Sequence, residues 1–254
     1  MAESSPPGSD PILEEVAALW RSGSAVVLVH GGGPDIDRAL ARRGIATQRV
    51  DGMRVTDAAT LEVTEAVLCG AVNKRIVRQC LALGLPAAGI SGEDGRTLIA
   101  ERAVNSNGAD LGYVGAIAAV DSRLLRALLD AGFLPVVAPL AIARDASHAY
   151  NVNADLAASA IAAALEVDAF VAITNVPRVL RELDDPSSGI ECLTPEEAFR
   201  FVASDACSSS MKPKVAAAAA AARDGVGASY ICSAKPSAIA SALGGDATIV
   251  RAAS

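Results

Sequence analysis

Aromatic residues are scarce. Four Phe, three Tyr and one Trp make up 3% of 254 residues, while 52% are hydrophobic and many of those are alanine. The core is therefore aliphatic, with alanine-faced helices packed close together. Histidine occurs twice, at 30 and 148, and the five cysteines (69, 80, 192, 207, 232) form no Cys-x-x-Cys pair. That argues against a zinc site or a disulfide framework, and for free thiols in a cytoplasmic protein. No apolar run approaches the roughly 18 residues that a membrane helix needs. Residues 1–10 have neither a basic n-region nor an apolar h-region, so no signal peptide is expected. Positive charge is in deficit, with 22 Lys and Arg against 29 Asp and Glu. The net negative charge argues against nucleic acid or an anionic membrane as partner. A small anionic substrate remains compatible, because a local nest of N–H groups and a few cations can hold it.

What is present is concentrated in one stretch, Val26-Val27-Leu28-Val29-His30-Gly31-Gly32-Gly33-Pro34. An apolar strand stops at three glycines, and Pro34 opens a helix-periodic segment that ends at Gly44. Glycines admit close approach of backbone N–H groups to a ligand, and a helix start adds positive dipole. Such a turn suits a carboxylate or phosphate. It is equally compatible with an ordinary strand-to-helix connection.

Helical and strand patterns alternate along the chain. Helices are expected over 11–21, 60–83, 122–131, 153–165 and 213–223, with Asp10 as the first cap. Strands are expected over 26–29, 87–90, 133–139, 169–173, 228–232 and 247–250, with hairpin material at 98–103 and 110–117. The alternation implies an α/β fold with a mostly parallel sheet and helices on both faces. Residues 1–10 read as a disordered tail, and the polar 140–150 segment as a weak boundary.

Three further segments carry polar chemistry. Asp51-Gly52-Met53-Arg54-Val55-Thr56-Asp57 places an arginine fork in a turn, where it can grip a carboxylate or simply face solvent. In Asn151-Val152-Asn153-Ala154-Asp155, Asn151 and Asp155 are four residues apart, offering an amide and a charge, or plain helix capping. In Ser209-Ser210-Met211-Lys212-Pro213-Lys214, Lys214 falls in the first turn of a helix. There it opposes the dipole unless an anion compensates, although an exposed lysine is the plain alternative.

Together with Val72-Asn73-Lys74, Gly89-Ile90-Ser91-Gly92, Leu134-Pro135-Val136 and Asn175-Val176-Pro177, these segments resemble, in order, the motifs of N-acetylglutamate kinases of the amino-acid kinase family. The resemblance covers about residues 11–250. It implies a three-layer αβα sandwich with a mainly parallel central sheet. It also implies one amino-acid kinase domain over 11–254, with a substrate-binding half (11–145) and a nucleotide-binding half (146–254). The implied reaction is transfer of the ATP γ-phosphoryl group to the side-chain carboxylate of N-acetyl-L-glutamate, with Mg²⁺ accompanying the nucleotide. Carried over by residue, Gly32 and Gly33 hold substrate and phosphoryl group, Arg54 a substrate carboxylate, and Asn151 its polar groups. Lys214 stabilises phosphoryl charge and Asp155 organises that lysine; Thr174, Asn175, Val179 and Met211 line the nucleotide site. No protein metal site is implied. A homodimer through the long helix is expected.

The chain departs from the family in three places. Members begin with a strand ending Lys-x-Gly-Gly, whereas residues 1–10 hold no lysine, so impaired turnover or a shortened start is expected. Asn175 and Arg178 stand where Asp and Gly are usual, and Ser209-Ser210 replaces Gly-Gly. These departures keep two alternatives open. One is a catalytically silent paralogue acting as a ligand-binding or regulatory subunit. The other is a kinase for a carrier-linked aminoadipate or glutamate.

Overall fold

The computed structural model describes residues 10–50, 52–104 and 108–252. They form two compact units, one of residues 23–157 and one joining the residues up to Ser22 with those from Ala158 onward. The expected tail lies outside the described residues apart from Asp10, whose carboxylate accepts the Ile12 N–H at 2.9 Å. It caps α1 (Pro11–Arg21) as the sequence suggests.

In the 23–157 unit, only Leu28–Val29 of the apolar run forms a strand, β1, and Pro34 lies in the first turn of α2 (Gly33–Arg42). A short antiparallel pair follows, β2 (Arg49–Val50) with β3 (Met53–Arg54). The long helix is continuous but not uniform. It begins as α3 (Ala58–Glu65), with Asp57 capping the Thr60 N–H at 2.7 Å. It then passes through a π-helical stretch, Ala66–Val72, into α4 (Asn73–Ala82). Asn73 N–H bonds the Leu68 carbonyl, five residues back. The wider turn rotates the apolar stripe, which a 3.6-residue period does not anticipate.

Next come β4 (Ala87–Ser91), β5 (Leu98–Arg102), β6 (Gly115–Val120), α5 (Arg123–Asp130) and β7 (Leu134–Ala138). Strands β1, β7 and β4 form a parallel sheet in that order. β5 and β6 pair antiparallel, with the second strand later than expected because 110–114 bridges to Thr56 and Asn151 instead. The 140–150 segment is no boundary. It is a hairpin of β8 (Leu140–Ala143) and β9 (Ala149–Asn151), whose polar turn is tied by Ser147 Oγ to Asp145 at 2.7 Å. The division between units falls between Ala157 and Ala158, inside α6 (Ala154–Leu165).

The other unit contains β10 (Ala169–Thr174), β11 (Cys192–Leu193), α7 (Pro195–Ala203), α8 (Lys212–Arg223), β12 (Ala228–Ser233), α9 (Ala238–Leu243) and β13 (Thr248–Val250). Its sheet runs β10-β12-β13-β11, parallel except between β12 and β13. Alternate residues enter different layers, as the strand period of two demands. Phe170, Ala172 and Ile231 pack with the buried alanines 217, 218, 219 and 221 of α8. Val171, Ile173, Tyr230 and Cys232 pack with Ala238 and Ala242 of α9 and Ile12 of α1. Helices thus cover both faces of this sheet, and α1 belongs with the C-terminal elements rather than with the substrate half assigned from sequence.

Candidate functional site

The glycine turn is built for close packing at one residue and for open space at another. A Cβ on Gly32 would lie 2.6 Å from Leu68 Cδ2 and 3.3 Å from Val72 Cγ2, so the π-helical stretch presses on the turn. A Cβ on Gly33 would meet nothing within 4 Å. Gly32 directly precedes α2, so N–H groups of the first helical turn are left for a ligand.

Arg54 is joined to this turn. Its side chain is 5% exposed, and Nη2 donates to the Gly33 carbonyl at 3.3 Å. Nη1 donates to Asp37 Oδ1 at 2.5 Å and to Thr47 Oγ1 at 3.3 Å. Among the described residues, no protein acceptor meets Nε–H, which is left to donate to a carboxylate. Burial raises the Asp37 pKa, but Arg54 and Arg49 override it and hold the carboxyl below its ordinary 3.8. The Arg54 carbonyl accepts from Thr56 Oγ1 at 2.9 Å, and that oxygen accepts from Asn151 Nδ2 at 3.2 Å. Gly33, Arg54, Thr56 and Asn151 are therefore one hydrogen-bonded chain. Asp155 sits in the first turn of α6, where a carboxylate suits the dipole, behind the capping Asn153 Oδ1 (3.1 Å to the Leu156 N–H).

The other unit holds a cavity of about 580 Å³ at the C-terminal end of β10, where parallel strands present ligands. Ile173, Thr174, Asn175 and Val176 form one wall, and Ser208, Ser210, Met211 and Lys214 another. Lys212 and Lys214 both lie in the first turn of α8, next to its positive dipole end. Thr174, Asn175, Met211 and Lys214 thus share one cavity. Val179 does not line it. Its N–H bonds Thr248 Oγ1 at 2.9 Å, its carbonyl accepts from Ile190, and it is 1% exposed in the core. Leu180, one residue on, lines the cavity instead. Arg178 donates to Glu191 and Asp246, each at 3.1 Å, tying the 174–180 loop to the residues that lead into β11 and β13.

Sequence reasoning gave no role to Asp37 or to Thr47, and noted Thr56 only as part of a motif. Each acts through a partner outside its own local segment, from 7 residues away for Thr47 to 95 for Thr56. Among the described residues no cluster of His, Cys, Asp and Glu could hold a metal, and no helix is long and apolar enough to cross a membrane.

The sequence matches the Amino acid kinase family over residues 3–233. It is 45% identical to the acetylglutamate kinase of Rubrobacter xylanophilus over 241 residues, covering 94% of this chain and 91% of that one. It is also 45% identical to the acetylglutamate kinase of Methanopyrus kandleri over 210 residues, covering 82% and 85%. The fold is similar to that of smu.665 from Streptococcus mutans, with a TM-score of 0.79, 22% identity and coverage of 95% and 91%. This α/β chain, with its glycine turn in one unit and its lysine-bearing cavity in the other, belongs to the amino acid kinase family.

Proposed function

We propose that this chain transfers the γ-phosphoryl group of ATP to the side-chain carboxylate of N-acetyl-L-glutamate, making an acyl phosphate for arginine biosynthesis. The 45% identity to acetylglutamate kinases over most of the chain supports the substrate. The geometric observation that carries the reading is the Arg54 guanidinium beside the glycine turn. Both terminal nitrogens bond to protein, and Nε–H is left to donate to a carboxylate.

The attacking carboxylate is ionised at neutral pH, so the reaction needs no general base. Catalysis rests on positioning and charge stabilisation. In the 23–157 unit, Arg54 holds one substrate carboxylate and Asn151 its polar groups. The N–H groups of Gly32 and Gly33 stabilise the transferring phosphoryl oxygens. In the other unit, Thr174, Asn175 and Met211 hold the nucleotide. Lys214 compensates the growing negative charge from the first turn of α8. Asp155 keeps the positioning role that the resemblance gives it. Mg²⁺ arrives on the nucleotide phosphates as part of that substrate.

Work in the cytoplasm fits the five free cysteines. A homodimer through α3 and α4 belongs to the same proposal, and light scattering tests it. The activity is tested by coupled measurement of ADP release with N-acetylglutamate as acceptor. Turnover that needs N-acetylglutamate supports the reading. Binding without turnover would favour the ligand-binding subunit instead.

A further inference from the structure

His30 immediately precedes the glycine turn and is 9% exposed. Its backbone N–H bonds the Val137 carbonyl at 3.2 Å, and its ring is held at both nitrogens. Nδ1 lies 2.9 Å from the Gly31 carbonyl oxygen, and Nε2 lies 3.2 Å from Asn73 Nδ2. The Gly31 carbonyl and the Asn73 amide together fix the tautomer. Asn73 Nδ2 also reaches the carbonyls of Val136 at 2.9 Å and Ile90 at 3.3 Å, so this end is the donor. Its Oδ1 accepts from Lys74 Nζ at 3.1 Å, and the same ammonium donates to the Gly89 carbonyl at 2.9 Å. A carbonyl oxygen only accepts and an amide nitrogen only donates, so the single ring proton sits on Nδ1 towards Gly31 and the lone pair of Nε2 faces Asn73, whose two N–H groups are shared among Val136, Ile90 and this ring. Gly89 makes room for this arrangement, since a Cβ there would lie 2.0 Å from Asn73 Oδ1 and 2.8 Å from Lys74 Nζ.

In a trans peptide the C=O and the following N–H point in opposite directions. A Gly31 carbonyl held by His30 therefore turns the Gly32 N–H away from the ring. Leu68 and Val72 press on Gly32 from the side and limit its movement.

We propose that His30 is a positioning residue, a neutral imidazole whose Nδ1–H bond to Gly31 aims the Gly32 N–H at the anion held by the glycine turn. This rests on the functional reading given above. A proton on Nε2 would face the Asn73 N–H groups, so the device works only with a neutral ring. Burial foremost, with Arg75 adding to it, lowers the His30 pKa against the opposing bond to Gly31. The charged groups on the surrounding helices are Asp35, Asp37, Arg38 and Arg42 of α2, Lys74, Arg75 and Arg78 of α4, and Asp155 of α6. Strands β4 and β7 and the π-helical stretch carry none.

The test compares wild type, His30→Asn and His30→Leu for phosphorylation of N-acetylglutamate from about pH 5 to pH 8, with ATP binding measured by calorimetry. Asn places an amide donor near the Nδ1 position and does not titrate. His30→Leu is expected to lower kcat about 100-fold with ATP affinity unchanged, and His30→Asn to recover about tenfold of that. The wild type should lose kcat in acid, and His30→Asn should lack that limb. Equal impairment of the two variants, or wild-type kcat in His30→Leu, would overturn the inference. Nitrogen NMR of the wild-type ring gives a second measurement that does not depend on the variants folding. A proton on Nδ1 is expected, and a proton on Nε2 would overturn the inference. An inactive wild type would overturn the functional reading and this inference with it. An active wild type with an indifferent His30→Leu would overturn only the inference.

Discussion

Arg54 donates through Nη2 to the carbonyl oxygen of Gly33 at 3.3 Å, so the buried guanidinium and the glycine turn move as one piece. Asp37 on Nη1 fixes the rotation of the guanidinium. Positive charge and backbone N–H groups are thereby preorganised before any ligand arrives, which is the condition for electrostatic stabilisation without reorganisation.

Arg54→Ala removes the guanidinium while leaving the other unit's cavity intact. Calorimetry should show N-acetylglutamate binding weakened by about 1.5–3 kcal/mol, the scale of a bond to a charged group. ATP affinity should be unchanged. Arg54→Lys should not restore binding, because an ammonium cannot satisfy Asp37, Gly33 and a ligand in one plane. Full affinity in Arg54→Ala would remove this residue from the substrate site.

Gly89→Ala tests the Asn73 network from the far side. The added methyl would displace Asn73 Oδ1 or Lys74 Nζ, and Asn73 is fully buried. A loss of about 1–3 kcal/mol in stability is expected, typical of overpacking, measured by urea unfolding. A methyl tolerated without loss would mean that the strand simply shifts. Gly33→Ala is the contrast. Its Cβ meets no protein atom, so stability should hold while ligand binding suffers.

Stability should depend on pH in two windows. Both folded and unfolded His30 are neutral above the ordinary value of 6.5, and the folded pKa lies lower. As pH falls below 6.5, the unfolded chain takes the proton first, so stability declines until the folded ring titrates. Asp37 acts in a lower window. Its folded pKa lies below 3.8, so its contribution is complete above that value and is lost as pH falls through the folded value. Scanning calorimetry should show the first decline in wild type and not in His30→Asn. A flat profile below pH 6.5 in wild type would contradict the burial of a neutral ring.

Local signals were legible and tertiary ones were not. Asp10 before Pro11 announced α1 because a cap acts within one turn. The glycine turn and the first-turn position of Lys214 were readable for the same reason. The Thr194-x-x-Glu197 capping box with Pro195 announces α7 equally well, with bonds of 3.2 and 2.8 Å, but was overlooked. The π-helical stretch escaped because one wider turn leaves composition unchanged and only shifts phase. The pairings Asp37 with Arg54 and His30 with Asn73 span 17 and 43 residues. Only the fold brings those residues together. Val179 and Leu180 differ by one position in a loop, where a strand-like alternation sends the first inward to the core.

Lys214 provides the sharpest test of catalysis. It lines the cavity from the first turn of α8, beside Lys212, where two positive charges meet the positive end of the helix dipole. An anion placed at this helix end would meet both the dipole and the lysine charge. The lysine's largest benefit comes where negative charge grows on the transferring group. Lys214→Ala should therefore lower kcat by about 10²–10³, the scale of removing one preorganised charge-stabilising group. ATP affinity should fall much less. Lys212→Ala should weaken nucleotide binding modestly and spare kcat, because Lys212 is not part of the cavity wall. Equal losses of kcat in the two variants would mean that the helix end acts only as a diffuse positive field. A kcat unaffected by Lys214→Ala would remove this lysine from the phosphoryl-transfer step.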